Sequence, residues 1–282
     1  MLLMITVVAL YSITSLNDKY AVSKCKYTGS QLTFLMASGT VFFLIFTLPF
    51  SDMHFTVSPM SFLFIGLIAL SKYLEFGMSA KILAEMSVFE LKAWLGITLF
   101  MSYFTDVFLY GQEIKSLRLL FIIVTAAGLF LIAREGRKQV NYKKIVLPLV
   151  LYLAAKFSYG FIMKAAESCI SSTMTLLCAL VILALIMLPA AKPMTIPKES
   201  PKGLKGMLIV LACKLPNALG LLCENRIAAG SLTNYSFIQP MILIVMFISG
   251  LFSQKEKPSK LSLAGSLCVI AGIFGFQAAG II

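Results

Sequence analysis

Apolar residues in this chain come in runs about as long as the roughly 20 helical residues that a ~30 Å hydrocarbon core requires, separated by short polar joints. The runs predict helices near residues 2–20, 30–50, 60–80, 88–109, 117–133, 145–164, 171–190, 204–223, 233–252 and 261–280. They lack the strict alternation of a strand. In lipid each helix satisfies its own backbone, so a β-barrel is excluded. Pro49, Pro148, Pro189, Pro193, Pro197 and Pro201 fall at or near run ends, where a missing amide proton is tolerated. Pro216 and Pro240 fall inside runs and predict kinks in the eighth and ninth helices.

Composition sharpens this into a class. Of 282 residues, 59% are apolar and 13% charged, against about half and a quarter in a soluble domain. The longest polar stretch is Arg134 to Lys144, too short for an appended soluble module, so any function must sit between helices. The formal charge of +12 does not point to nucleic acid, because the lysines cluster at run ends, where they anchor and orient spans. Met1 to Ser15 lacks a basic start and a cleavage site, so this segment is expected to remain as a span. His54 is the single histidine, and the six cysteines show no CxxC spacing. Neither a metal site nor a cofactor is expected. No phosphate loop, HExxH or GxSxG motif appears, so the chain is not expected to be an enzyme.

Laid over one another, residues 1–133 and 145–282 suggest a duplication of five spans, joined by a linker at 134–144 expected in the cytoplasm. Thr33–Pro49 lies over Thr173–Pro189 at an offset of 140, which also puts Lys24 on Lys164. At 142, Lys72 falls on Lys214; at 143, Lys92 falls on Tyr235; at 144, Leu117–Gly128 falls on Leu261–Gly272. An odd number of spans turns the second copy over, the inverted-repeat plan in which a binding site forms near the midplane between the halves. Odd-numbered joints carry 16 Lys and Arg and even-numbered ones 4, which places odd joints in the cytoplasm and both termini outside.

Lys72, Lys92, Lys156 and Lys214 remain inside runs. Each would cost roughly 2.5–3.5 kcal/mol at a bilayer centre, so they must pair, snorkel or line a wet cavity. Lys72, Glu75 and Ser79 share one helix face, either as a structural ion pair or as cavity lining; Lys214, Asn217, Leu221 and Glu224 repeat the stripe on the eighth run. The fourth run adds Glu90, Lys92 and Trp94, the only tryptophan and equally readable as an interfacial anchor. The ninth adds Asn234, Tyr235 and Gln239, and the sixth Lys156, Tyr159 and Gly160. Asp106 is expected to pair or to meet the interface, and Lys24 and Lys164 to anchor helix ends. The candidate binding set is Lys72, Glu75, Glu90, Lys92, Trp94, Lys156, Tyr159, Lys214, Asn217, Tyr235 and Gln239, and Glu75, Glu90 or Glu224 is a candidate for a coupling proton.

Pro240–Glu256 (PMILIVMFISGLFSQKE) followed by Leu261–Phe276 (LSLAGSLCVIAGIFGF) resembles the end-of-repeat signature of the drug/metabolite transporter superfamily, the EamA-type group in particular. Ile97–Glu113 and Leu117–Leu131 repeat it in the first half, with Ile97 where a proline is typical. The resemblance implies ten helices in two inverted five-helix repeats and alternating access through a cavity formed mainly by the first, third, fourth, sixth, eighth and ninth spans. Members commonly have cytoplasmic termini, against which we follow the charge count. The expected function is secondary transport of a small polar metabolite, an amino acid or organic anion by the excess of lysines, across the cytoplasmic membrane. The expected assembly is a multi-pass monomer or homodimer. Export of a cationic or amphipathic compound, and a lipid-flipping accessory subunit, stay open.

Overall fold

A computed structural model describes residues 2–51, 53–86, 88–136, 142–252 and 260–281. Residues 137–141 of the expected linker, and Lys255 and Lys257 of the charge count, lie outside them. The described residues form α1 (Leu2–Ser23), α2 (Gly29–Thr47) ending in a 3-10 turn at Leu48–Phe50, α3 (Pro59–Glu85), α4 (Val88–Leu95), α5 (Ile97–Phe108), α6 (Ser116–Gly136) and α7 (Tyr142–Ala166). They continue as α8 (Ser172–Ala191), the single turn α9 (Ile196–Glu199), α10 (Gly203–Ala212), α11 (Lys214–Gly230), α12 (Leu232–Phe252) and α13 (Lys260–Ile281). Local chemistry fixes several starts. Thr28 and Gln31 form a reciprocal capping box ahead of α2, Ser58 caps α3 before Pro59, and the Ser171 hydroxyl accepts from Met174 N at the head of α8.

Five helical stretches, Gly29–Thr47, Pro59–Glu85, Tyr142–Ala166, Ser172–Ala191 and Gly203–Gly230, are long and apolar enough to cross a membrane. Polarity is arranged as lipid demands. Phe46, Leu147 and Leu185 stand 63%, 68% and 64% exposed on the outer faces, while Lys72 and Lys214 are 0% exposed. The chain is therefore an all-α membrane protein.

Two of the apolar runs are divided. The run at 88–109 breaks at Gly96, where the Thr98 hydroxyl donates to the freed Leu95 carbonyl at 2.7 Å. The run from 203 breaks at Cys213, beside the Ala212 carbonyl that Pro216, lacking an amide proton, cannot satisfy; Pro216 itself then sits in the first turn of α11, where that proton has no intrahelical partner anyway. The interruption thus precedes the proline, and α12 runs through Pro240 as one helix.

The main helix pairings are α6 with α13, α3 with α7, α2 with α8, α1 with α11, and α12 with both α4 and α5. The α6–α13 seam is the tightest: a Cβ at Gly128 would lie 2.6 Å from the Gly265 carbonyl oxygen, and one at Gly265 2.8 Å from that of Gly128. Two clasps join the helix ends. On one side the Ser200 hydroxyl donates to Cys25 O at 3.0 Å and Gln31 Nε2 to Glu199 at 2.6 Å. On the other, Thr56 N donates to Cys169 O at 3.0 Å and Ser171 N to His54 O at 2.8 Å, with Phe55 and Ile170 bridging.

Gly128→Ala should lower the thermal midpoint of the detergent-solubilised protein, because the new methyl meets backbone and the seam must part, at a cost of about 1–3 kcal/mol. Gly66→Ala on α3, where nothing lies within 4 Å, should leave the midpoint unchanged or raise it.

Candidate functional site: a charge network around a central cavity

A cavity of about 60 Å³ lies among α1, α3, α4, α7, α11 and α12, with Met36 of α2 on its wall. Its lining combines charge (Asp18, Lys72, Glu75, Lys92, Lys156), hydroxyl and amide groups (Thr14, Asn217, Gln239 among them) and apolar contacts from Phe76, Leu83 and Leu91. On α1 and α3 the wall runs from mid-helix, at Tyr11 and Lys72, toward the C-terminal turns, at Asp18 and Leu83, where the first turns of α4 join it; Tyr152 and Lys156 add the middle of α7. The cavity therefore reaches from the middle of the bundle toward the C-terminal ends of α1 and α3.

Charges alternate across the helices. Lys72 Nζ is 2.7 Å from Glu75 Oε2 and lies over the Tyr159 ring, 3.7 Å from its centroid. Glu75 Oε1 reaches Lys156 Nζ at 3.3 Å, and Lys156 in turn meets Glu224 Oε1 at 3.0 Å. The other oxygen of Glu224 accepts from the Tyr11 hydroxyl. A second pair, Lys214 Nζ to Asp18 Oδ1 at 2.8 Å, stands beside the chain of four. Gly39 makes room for it: a Cβ there would lie 2.9 Å from Lys214 Cγ. Tyr159 donates to Asn225 Oδ1 at 2.6 Å, Asn217 to Thr40 at 2.8 Å, and Tyr235 to the Lys156 carbonyl at 2.8 Å.

Lys92 differs from these. It is 8% exposed, lines the cavity, and donates to Gln239 Oε1 at 2.9 Å. Among the described residues no carboxylate lies within ion-pair distance of it.

Of the sequence-predicted residues, Lys72, Glu75, Lys92, Lys156, Asn217 and Gln239 are brought together on the cavity wall. Tyr159, Tyr235, Glu224 and Lys214 are buried behind it. Glu90, in the first turn of α4, and Trp94 stand off it. Trp94 donates to the Tyr142 hydroxyl at 3.2 Å and lines a separate apolar groove of about 420 Å³ with Ile97, Phe100, Phe130 and Arg134. Sequence reasoning passed over Asp18, Tyr11, Thr14 and Ser15. Their spacing was the available signal, since Tyr11, Thr14, Ser15 and Asp18 share one face of α1.

A second polar cluster closes the opposite ends. Asp106, fully buried near the end of α5, takes Lys164 Nζ at 3.0 Å on one oxygen; the other accepts from the Ser231 hydroxyl at 2.9 Å and Thr233 N at 2.7 Å, capping α12.

Fold and site together define an all-α, membrane-embedded chain with a charged internal cavity. No family model matches it, and no curated protein does. A solved structure described only as "Crystal structure of protein" superimposes with a TM-score of 0.69 at 13% identity, covering 98% of this chain and 96% of that one. The similarity extends to the fold.

Lys214→Met should destabilise the protein by about 3–5 kcal/mol, because it strands Asp18 in a buried position. Asp18→Leu with Lys214→Met should recover at least half of that loss, since an apolar pair replaces an ion pair without leaving a charge behind. Denaturation midpoints of the two single variants and the double variant form the cycle that measures this.

Proposed function

We propose that the chain is a secondary active transporter of the drug/metabolite transporter type, built as ten transmembrane helices in two inverted five-helix repeats and moving a small polar metabolite by alternating access. The observation that carries this reading is the cavity itself: buried charges from both halves of the chain surround polar space in the middle of a lipid-facing bundle. Its walls come from α1, α3, α4, α7, α11 and α12, the helices of the six spans that the family resemblance implies.

The packing supports the repeat. Exchanging α1, α2, α3, α4–α5 and α6 for α7, α8, α10–α11, α12 and α13 maps the pairs α2–α8, α4/α5–α12 and α6–α13 onto themselves. It also turns α1–α11 into α7–α3. The two end clasps exchange as well, Cys25 for Cys169. The cavity then faces the lysine-rich side, which the charge count assigns to the cytoplasm, while the Asp106 cluster and the 54–56/169–171 clasp close the other.

A cargo that carries a carboxylate, an amino acid or an organic anion, is favoured over a cationic one, because Glu75, Glu224 and Asp18 each already hold a lysine. Of the three coupling-proton candidates Glu75, Glu90 and Glu224, only Glu75 lines the cavity and is the one we favour.

Reconstituted into sealed vesicles, the protein should exchange labelled small organic anions across the bilayer, and empty vesicles should not. A panel of anions, zwitterions and cations in which none moves faster than in empty vesicles overturns the proposal. For orientation, a reporter that works only in the cytoplasm should be silent when fused to the C-terminus; a strong signal reverses the proposed sidedness.

A further inference from the structure

Around the cavity stand four buried lysines, Lys72, Lys92, Lys156 and Lys214, and three buried acids, Asp18, Glu75 and Glu224. Lys72, Glu75, Lys156 and Glu224 form a chain that sums to zero, and Lys214 with Asp18 sums to zero. One positive charge is left over, and the geometry puts it on Lys92. A buried ammonium without a counter-charge is costly. It spends one proton on a neutral amide oxygen and keeps the others for the cavity. Gln239 lines the same space with its oxygen turned to Lys92, which puts its amide nitrogen beside that ammonium.

We infer that Lys92 and Gln239 form the binding site for the carboxylate of a compact monoanion, a short-chain monocarboxylate. One oxygen of the carboxylate sits on Lys92 Nζ and the other accepts from Gln239 Nε2. Binding of one negative charge brings the site to neutrality. A zwitterion would leave the surplus in place, and a dicarboxylate would reverse its sign. Size agrees: about 60 Å³ accommodates roughly four to six water-sized positions at ~10–15 Å³ each, which suits a carboxylate on a body of a few atoms. Phe76 and Leu91 take the carbon skeleton, and Thr14 and Asn217 meet a hydroxyl or keto substituent. The assignment rests on reading the cavity as the substrate site.

Thermal shift and calorimetric titration of the purified full chain in detergent, at constant ionic strength, test it with lactate as the probe. Lactate should raise the unfolding midpoint saturably, and chloride, succinate and putrescine should not. Lys92→Met should raise the apparent Kd for lactate by about tenfold or more. The ligand-free midpoint of Lys92→Met should be no lower than that of the parent, because the surplus charge is gone; this separates a binding residue from a structural one. Lys92→Arg should keep measurable lactate binding. Equal affinity in Lys92→Met, or saturable binding of putrescine, succinate or chloride in place of lactate, overturns the assignment. If lactate binds and no solute crosses reconstituted vesicles, the site stands and the transport reading falls. Movement of a cation without lactate binding does the reverse.

Discussion

The ammonium of Lys156 holds the interior together. Placed in mid-helix on α7, it lies too deep for its head to reach water along its own helix, and it is compensated from two others, by Glu75 of α3 and Glu224 of α11. Tyr11 of α1 completes the sphere of Glu224, and Tyr235 of α12 fixes the Lys156 carbonyl. Five helices are thus committed to one arrangement by groups that have no alternative partner in lipid. Apolar packing alone would not choose among helix orders, because lipid tails are as apolar as the helix faces.

Small residues let that arrangement close. Gly160 and Gly220 accept the rings of Tyr235 and Tyr11 at distances that a Cβ would forbid, 2.6 Å in each case. The same two tyrosines then deliver their hydroxyls to Lys156 and Glu224. Glycine and tyrosine here act as one unit: the missing side chain on one helix sets the depth at which the hydroxyl of the next arrives.

Much of this was legible in the sequence. Run length located the helices, and the cost of inserting a charge singled out Lys72, Lys92, Lys156 and Lys214 by their position within the runs. The stripe Lys72–Glu75–Ser79 became a pair and a wall. What failed was partnership across helices. Lys214 meets Asp18 across 196 positions, and nothing local announces it. Asp18 was hidden by its place beside Lys19 at the end of a run, although the α1 face it shares with Tyr11 was readable. Trp94 was grouped with Lys92 by nearness in sequence, but residues two apart on a helix point to nearly opposite sides. Once Lys92 faces the cavity, Trp94 faces out. The breaks at Gly96 and Cys213 depend on where freed carbonyls find partners, which run length does not encode.

On the reading of Lys92 as a monoanion site, the empty and occupied forms are electrically unequal: the network of buried lysines and acids around the cavity sums to one positive charge when empty and to none with a monoanion bound. A charge that crosses the full membrane field exchanges about 2.3 kcal/mol with it per 100 mV. In a carrier built this way the membrane voltage acts on the return of the empty form and leaves the loaded passage untouched. The sign of the potential, rather than the cargo gradient alone, then sets which way the unloaded protein rests.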